Sequence, residues 1–125
     1  MKNLTSKIPH MLLASALFFS FEASCNIFKE ISLEKKVQLS DLVIIGTVES
    51  VSNNNCMELN SCADINVVEI LKGNTNGKIR VLFGGEVSER DPLCCKVGAN
   101  YLFFIKRVGD YYQTVNGPYG IYVLP

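Results

Sequence analysis

Asp41-Leu-Val-Ile-Ile-Gly-Thr-Val-Glu-Ser-Val51 is the stretch on which the fold turns. β-Branched residues dominate it, apolar on both faces at first and alternating with polar ones later. It reads as one long strand. Gly46, at its middle, marks a bend or bulge, the device that lets a strand curl around a small barrel.

The chain downstream continues in the same manner. Ser52-Asn-Asn-Asn-Cys56 to Ser61 is a polar loop, and Ala63–Leu71 is a second strand. Within it Ile65 and Val67 share one phase while Val68 and Ile70 share the other, as a bulge would cause. Lys72–Lys78 is a turn rich in Gly and Asn. Lys78–Phe83 is a third strand with Ile79, Val81 and Phe83 on one side. The connection 84–100 is long, charged and irregular, and connections of that length are usually functional or tied down. Tyr101–Lys106 is the fourth and most apolar strand, followed by a hairpin turn at Val108-Gly-Asp110. Tyr111–Val115 and Tyr119–Leu124 are either a strand pair or one strand broken by the turn at Asn116-Gly-Pro118.

Upstream, Ser32–Asp41 reads as a short helix with Ser32 as its N-cap and Glu34 in the first turn. Leu33, Val37 and Leu39 are candidates for its apolar side. The expected architecture is all-β: five to six antiparallel strands in a small barrel, behind one short N-terminal helix. Phe83, Phe103, Tyr101 and Tyr111 are expected to line it.

The first 24 residues have a different character. Lys2 and Lys7 precede the uncharged apolar run Met11–Phe21, and Glu22, Ala23, Ser24 and Cys25 follow. This is the plan of a secretory signal peptide, and its core is too short to span a bilayer. Residues 1–24 are read as an export signal and 25–125 as one small domain, secreted or periplasmic. Lys2, Lys7 and Glu22 leave with the signal, which takes the chain from neutral to a net charge of −1. That balance argues against nucleic acid as a partner. Membrane attachment is expected only if Cys25 is lipidated, and Glu22 stands where a lipoprotein site carries an aliphatic residue.

The sole histidine, His10, lies inside the signal. The exported domain therefore lacks the usual general base, and no GxSxG, Walker or HExxH motif is present. The domain reads as non-catalytic, without a cofactor or metal of its own. Its five cysteines are Cys25, Cys56, Cys62, Cys94 and Cys95. In a small exported domain they read as disulfide partners, with one left over. Cys56 and Cys62 are spaced to clip the two ends of a loop. Neighbouring cysteines such as Cys94 and Cys95 rarely bond to each other.

The segments Leu39–Val48, Val67-Val-Glu-Ile-Leu-Lys-Gly73 and Val97-Gly-Ala-Asn-Tyr-Leu-Phe-Phe104 are similar, in order, to strands of netrin-like domains. That family includes the tissue inhibitors of metalloproteinases and bacterial relatives. The resemblance covers most of residues 25–125 and implies an OB-fold barrel. It also implies a function: in the inhibitors, the α-amine and carbonyl of an N-terminal cysteine chelate the zinc of a target protease. The matching residue is Cys25, with Asn26 beside it, and Cys94 or Cys95 would anchor Cys25 by a disulfide. An α-amine with a pKa of about 7.7–8.0 loses its proton readily enough to serve as a zinc donor. The chain departs from the inhibitors' Cys-x-Cys opening at Ile27, and their C-terminal half is missing.

Two functions follow as expectations. One is a monomeric inhibitor of a zinc metalloprotease acting through Cys25 and Asn26. The other is an envelope or extracellular binding module, lipid-tethered or free, in which Cys25 is only structural.

Overall fold

The computed structural model describes residues 29–52, 56–57, 61–83 and 94–125. Cys25 and Asn26, the whole 1–24 segment and most of the 84–100 connection lie outside the described residues.

Helix α1 spans Leu33–Leu39. The Ser32 hydroxyl accepts a hydrogen bond from the Lys35 N–H at 3.1 Å, as an N-cap should. At the other end the Lys72 ammonium donates to the carbonyls of Val37, at 2.7 Å, and Ser40, at 2.6 Å. A cation there complements the carbonyl-rich end of the helix, where the Val37 carbonyl otherwise accepts only a long 3.3 Å bond from the Ser40 N–H. The expected apolar side of α1 is not the buried one. Leu33, Val37 and Leu39 are 62 %, 36 % and 48 % exposed, whereas Lys36 is 1 % exposed. Lys36 forms a 2.9 Å ion pair with Glu30 and donates to the Tyr122 hydroxyl. Its ammonium also sits 4.8 Å from the Tyr122 ring centroid. A helix of under two turns has little surface with which to bury an apolar stripe, and this one docks through a satisfied cation.

The strands are β1 (Leu42–Ser52), β2 (Ser61–Lys72), β3 (Lys78–Phe83), β4 (Asn100–Val108), β5 (Tyr111–Thr114) and β6 (Ile121–Val123). β1 pairs antiparallel with β2 and also with β4. β2 continues antiparallel to β3, and β4 to β5. β3 and β5 are parallel, through Val81↔Tyr112 and Leu82↔Gln113. The sheet is therefore mixed, which corrects the purely antiparallel expectation. The cause lies in the connection after β3. It returns the chain beside β1 rather than beside β3, so the β4–β5 hairpin brings β5 up in the direction of β3.

β6 pairs with β4 at Tyr101–Phe103, while β5 pairs with β4 at Ile105–Val108. The last two runs thus follow one another along β4, broken by a 3-10 turn at Gly117–Gly120. Gly46 does mark an irregularity: the β1–β2 register shifts between Ile45 and Gly46. A Cβ there would meet Ile65 Cγ2 at 2.3 Å, so only glycine allows the strands this approach.

The main core gathers Leu42, Ile44 and Val48 of β1 with Ile65, Val81, Phe103 and Ile105. A second cluster of Val43, Phe104 and Val115, packed by Ile31, lies apart from it. This explains why β4 is apolar in both phases. Tyr101, Phe103 and Ile105 serve the main core, and Phe104 serves the second cluster. Among the expected lining aromatics, Phe83, Tyr101 and Phe103 are buried in the main core. Tyr111 is not among those buried residues, and it lines a cleft.

Candidate functional site

Alternation along β3 buries Ile79 and leaves Lys78 and Arg80 outward. Arg80 lies opposite Asp64 of β2, and its Nε donates to Asp64 Oδ1 at 2.7 Å. The Ser50 hydroxyl donates to the other Asp64 oxygen at 3.0 Å. Lys78 pairs with Glu49 at 3.2 Å. Glu49, Asp64, Lys78 and Arg80 form one wall of a cleft of about 620 Å³. The other wall is the end of β4 and the β4–β5 hairpin: Arg107, Asp110, Tyr111 and Tyr112. Gly109 makes the hairpin turn with φ 62°, a conformation that favours glycine.

The electrostatics are compensated. The Arg80 hydrogen bond holds the Asp64 carboxyl below its ordinary pKa, against the opposing effect of burial and with help from Ser50. The same bond raises Arg80 further. Arg80 also lies 6.0 Å from the Tyr111 ring centroid. Arg107 differs. Its Nε donates to the Gly109 carbonyl at 3.0 Å, and no ion pair forms on it among the described residues. Among the described lining residues Glu49, Asp64 and Asp110 stand against Lys78, Arg80 and Arg107, so the cleft offers placed donors and acceptors of both signs. The size falls within the range of small-ligand and peptide sites.

The Tyr111 hydroxyl donates to the Cys56 carbonyl at 3.3 Å, which joins the cleft to the β1–β2 loop. Cys56 and Cys62 are disulfide-paired, with Cα atoms 6.0 Å apart, as the loop-clip reading expects. Cys94 and Cys95 are placed at bonding distance from each other and pack half-buried against the main core. The bridge expected from one of them to Cys25 falls outside the described residues, and this placement runs against the expectation that neighbouring cysteines rarely bond to each other. Just beyond them the connection joins β1, with Gly98 N–H donating to Val48 O at 2.8 Å.

A second feature concerns the chain that follows Cys25 and Asn26. The Asn116 side chain accepts from the Ile31 N–H at 2.9 Å and donates to the Lys29 carbonyl at 3.0 Å. Asn116 sits in the left-handed region with φ 64°. Its two bonds imitate a strand partner for residues 29–31. The Lys36 and Tyr122 contacts hold Glu30 from the same side, with Tyr122 OH donating to Glu30 at 3.0 Å. Those bonds also keep the Glu30 carboxyl below its ordinary pKa, Lys36 contributing most.

A shallower apolar groove of about 250 Å³ lies between α1 and the sheet, lined by Leu33, Val37, Leu71 and Phe104 among others. Among the described residues there is no cluster of three or more His, Cys, Asp or Glu placed to hold a metal. No described helix is long and apolar enough to cross a membrane.

The cleft was missed in the sequence. The alternation Lys78-Ile-Arg80 signals two outward cations, but joining them to Arg107–Tyr112 requires the parallel β3–β5 pairing, which no local pattern encodes. No family model matches the chain, and no curated protein matches it.

Proposed function

We propose that residues 25–125 form an exported, non-catalytic binding domain of the netrin-like kind, with an OB-type barrel and the charged cleft as its recognition surface. The observation that carries this reading is the circuit of strand pairings. β1 pairs with β2, β2 with β3, β3 with β5, β5 with β4, and β4 with β1 again. A circuit of this kind, with its one parallel step at β3–β5, supports a five-stranded barrel with β6 as an extension. The cleft lies where β3 and the β4–β5 hairpin part company. That position, beside the β2–β3 face and the β4–β5 loop, is where OB-folds receive ligands.

The test uses the processed protein purified from culture, offered to a glycan array and to a displayed peptide library. The expected result is binders that lose affinity about ten-fold or more on Arg107→Ala, with ligands recovered intact by mass spectrometry. Binders indifferent to that change, or ligands recovered cleaved, would contradict the reading.

One observation favours the inhibitor reading as well. Asn116 and Lys36 hold Lys29–Ile31, the described chain nearest in sequence to Cys25, against the rest of the domain. On that reading Cys25 and Asn26 form the zinc-reaching edge, and the protein acts as a monomer on a zinc metalloprotease. N-terminal sequencing with intact mass decides it. A start at Cys25 with no added lipid is required, and a start at Ser24 or upstream removes the chelating amine from Cys25.

A further inference from the structure

Antiparallel ladders alternate between residue pairs that exchange backbone hydrogen bonds and pairs that do not. The Val67 N–H donates to the Gly77 carbonyl at 2.9 Å, which sets the phase where β3 begins. Carried along the β2–β3 register, the bonded pairs are Ile65 with Ile79 and Ala63 with Val81. Lys78, Arg80 and Leu82 therefore turn their N–H and C=O groups away from β2. Beyond them lies β5, but its parallel pairing starts only at Val81↔Tyr112. In that geometry the flanking groups, Arg80 C=O and Leu82 N–H, are the ones engaged. Among the described residues this leaves the Arg80 N–H and both backbone groups of Lys78 without a strand partner on the side away from β2, and Lys78, Arg80, Tyr111 and Tyr112 all line the cleft.

We propose that this cleft binds an extended peptide, which adds as a short strand along β3 at Lys78 and Arg80 and places an acidic side chain opposite Arg107. The inference rests on the binding-domain reading and names its ligand. Unpaired main-chain donors and acceptors in sheet register match a peptide backbone, the basis of strand addition. Lys78 and Arg80 already have carboxylate partners in Glu49 and Asp64. Among the described residues Arg107 is the cation lining the cleft that no carboxylate pairs, and Asp110 is the lining carboxylate that no cation pairs, so an acidic side chain of the peptide is placed at Arg107 and away from Asp110. A sugar fits this site less well. One face of the Tyr111 ring has the Arg80 guanidinium 6.0 Å from its centroid, which narrows its use as a stacking platform.

The test selects random octapeptides displayed on phage against the processed protein, then measures the selected peptides by calorimetry as made and with backbone N-methyl groups at alternate positions. The expected result has four parts. Selected peptides share one Asp or Glu position. N-methylation of one alternate set weakens binding about ten-fold or more while the other set is tolerated. Arg107→Ala weakens binding by a similar factor. The amides of Lys78 and Arg80 become protected from hydrogen exchange on binding. Failure to enrich any peptide would overturn the proposal, as would binding indifferent to N-methylation or mapped away from β3. If glycans bind the cleft and peptides do not, the peptide assignment falls and the binding domain stands. If neither binds there, both fall.

Discussion

Val81 and Tyr112 lie side by side and run in the same direction, and strand pairing between β3 and β5 reaches no further toward the start of β3 than this pair. On one side of the junction the strands are continuous sheet. On the other, Lys78 and Arg80 face Arg107 and Asp110 across an open cleft. The proposed recognition surface thus comes from the same topological step that makes the sheet mixed.

Gly46→Ala tests the close approach of β1 and β2. The added methyl would lie 2.3 Å from Ile65 Cγ2 and 3.2 Å from the Asn66 carbonyl. Ile65 is fully buried, so it cannot swing aside freely. The expected loss is about 2 kcal/mol or more, within the range for overpacked cores, read as a fall in urea midpoint at constant m.

Asn116 separates two effects in two variants. Asn116→Gly deletes the bonds to Ile31 and Lys29 but keeps a residue at ease at φ 64°. Asn116→Ala deletes the same bonds and adds the left-handed penalty, so it should be the less stable of the two by about 1 kcal/mol. Both should speed hydrogen exchange at the Ile31 amide. Equal stability of the two variants would deny that the backbone conformation matters.

Much of the fold was legible because it is local. Ser32 caps α1, Ile79, Val81 and Phe83 point inward by simple alternation, and Gly46 marks the bend where expected. The features that were not legible depend on residues distant in sequence. Lys36 looks like a solvated helix residue until Glu30 and Tyr122 are placed around it. Tyr111 reads as core until β5 takes its place beside β3. Cys25 and Asn26, the residues the sequence singles out most strongly, lie outside the described residues.

Lys36→Met and Lys36→Ala should differ. Methionine keeps the buried stem and removes the charge, leaving Glu30, which is half exposed, free to turn to water. Replacing a buried ion by an apolar group of similar size is often close to neutral, so the expected cost is within about 1 kcal/mol. Alanine also leaves a cavity, and about 2 kcal/mol or more is expected. Thermal unfolding near neutral pH reads both. Burial by itself would lower the Lys36 pKa, but the bonds to Tyr122 and Glu30 outweigh it and raise it. Its contribution is therefore complete below the ordinary lysine range and lost as pH rises through the folded value.

Like Glu30, Asp64 contributes to the acid side. Its folded pKa lies below the unfolded value because Arg80 bonds the carboxylate. The stability this provides is present above the ordinary carboxylate pKa of about 3.9 and is lost as pH falls through the folded value. The pair is partly exposed, so the amount should not exceed about 1 kcal/mol. Asp64→Asn should flatten the stability profile below about pH 4 by that amount. An unchanged acid limb would show that the pair contributes nothing.

Residue-resolved hydrogen exchange on the unliganded, processed protein tests the central claim, a recognition cleft opened by an incomplete β3–β5 junction. Slow exchange is expected at Ile79, Val81 and Leu82, whose amides are held by β2 or β5, and fast exchange at Lys78 and Arg80. Protection of Lys78 and Arg80 equal to that of their neighbours would contradict it, because the edge of β3 would then be closed and the cleft would offer no strand to pair with.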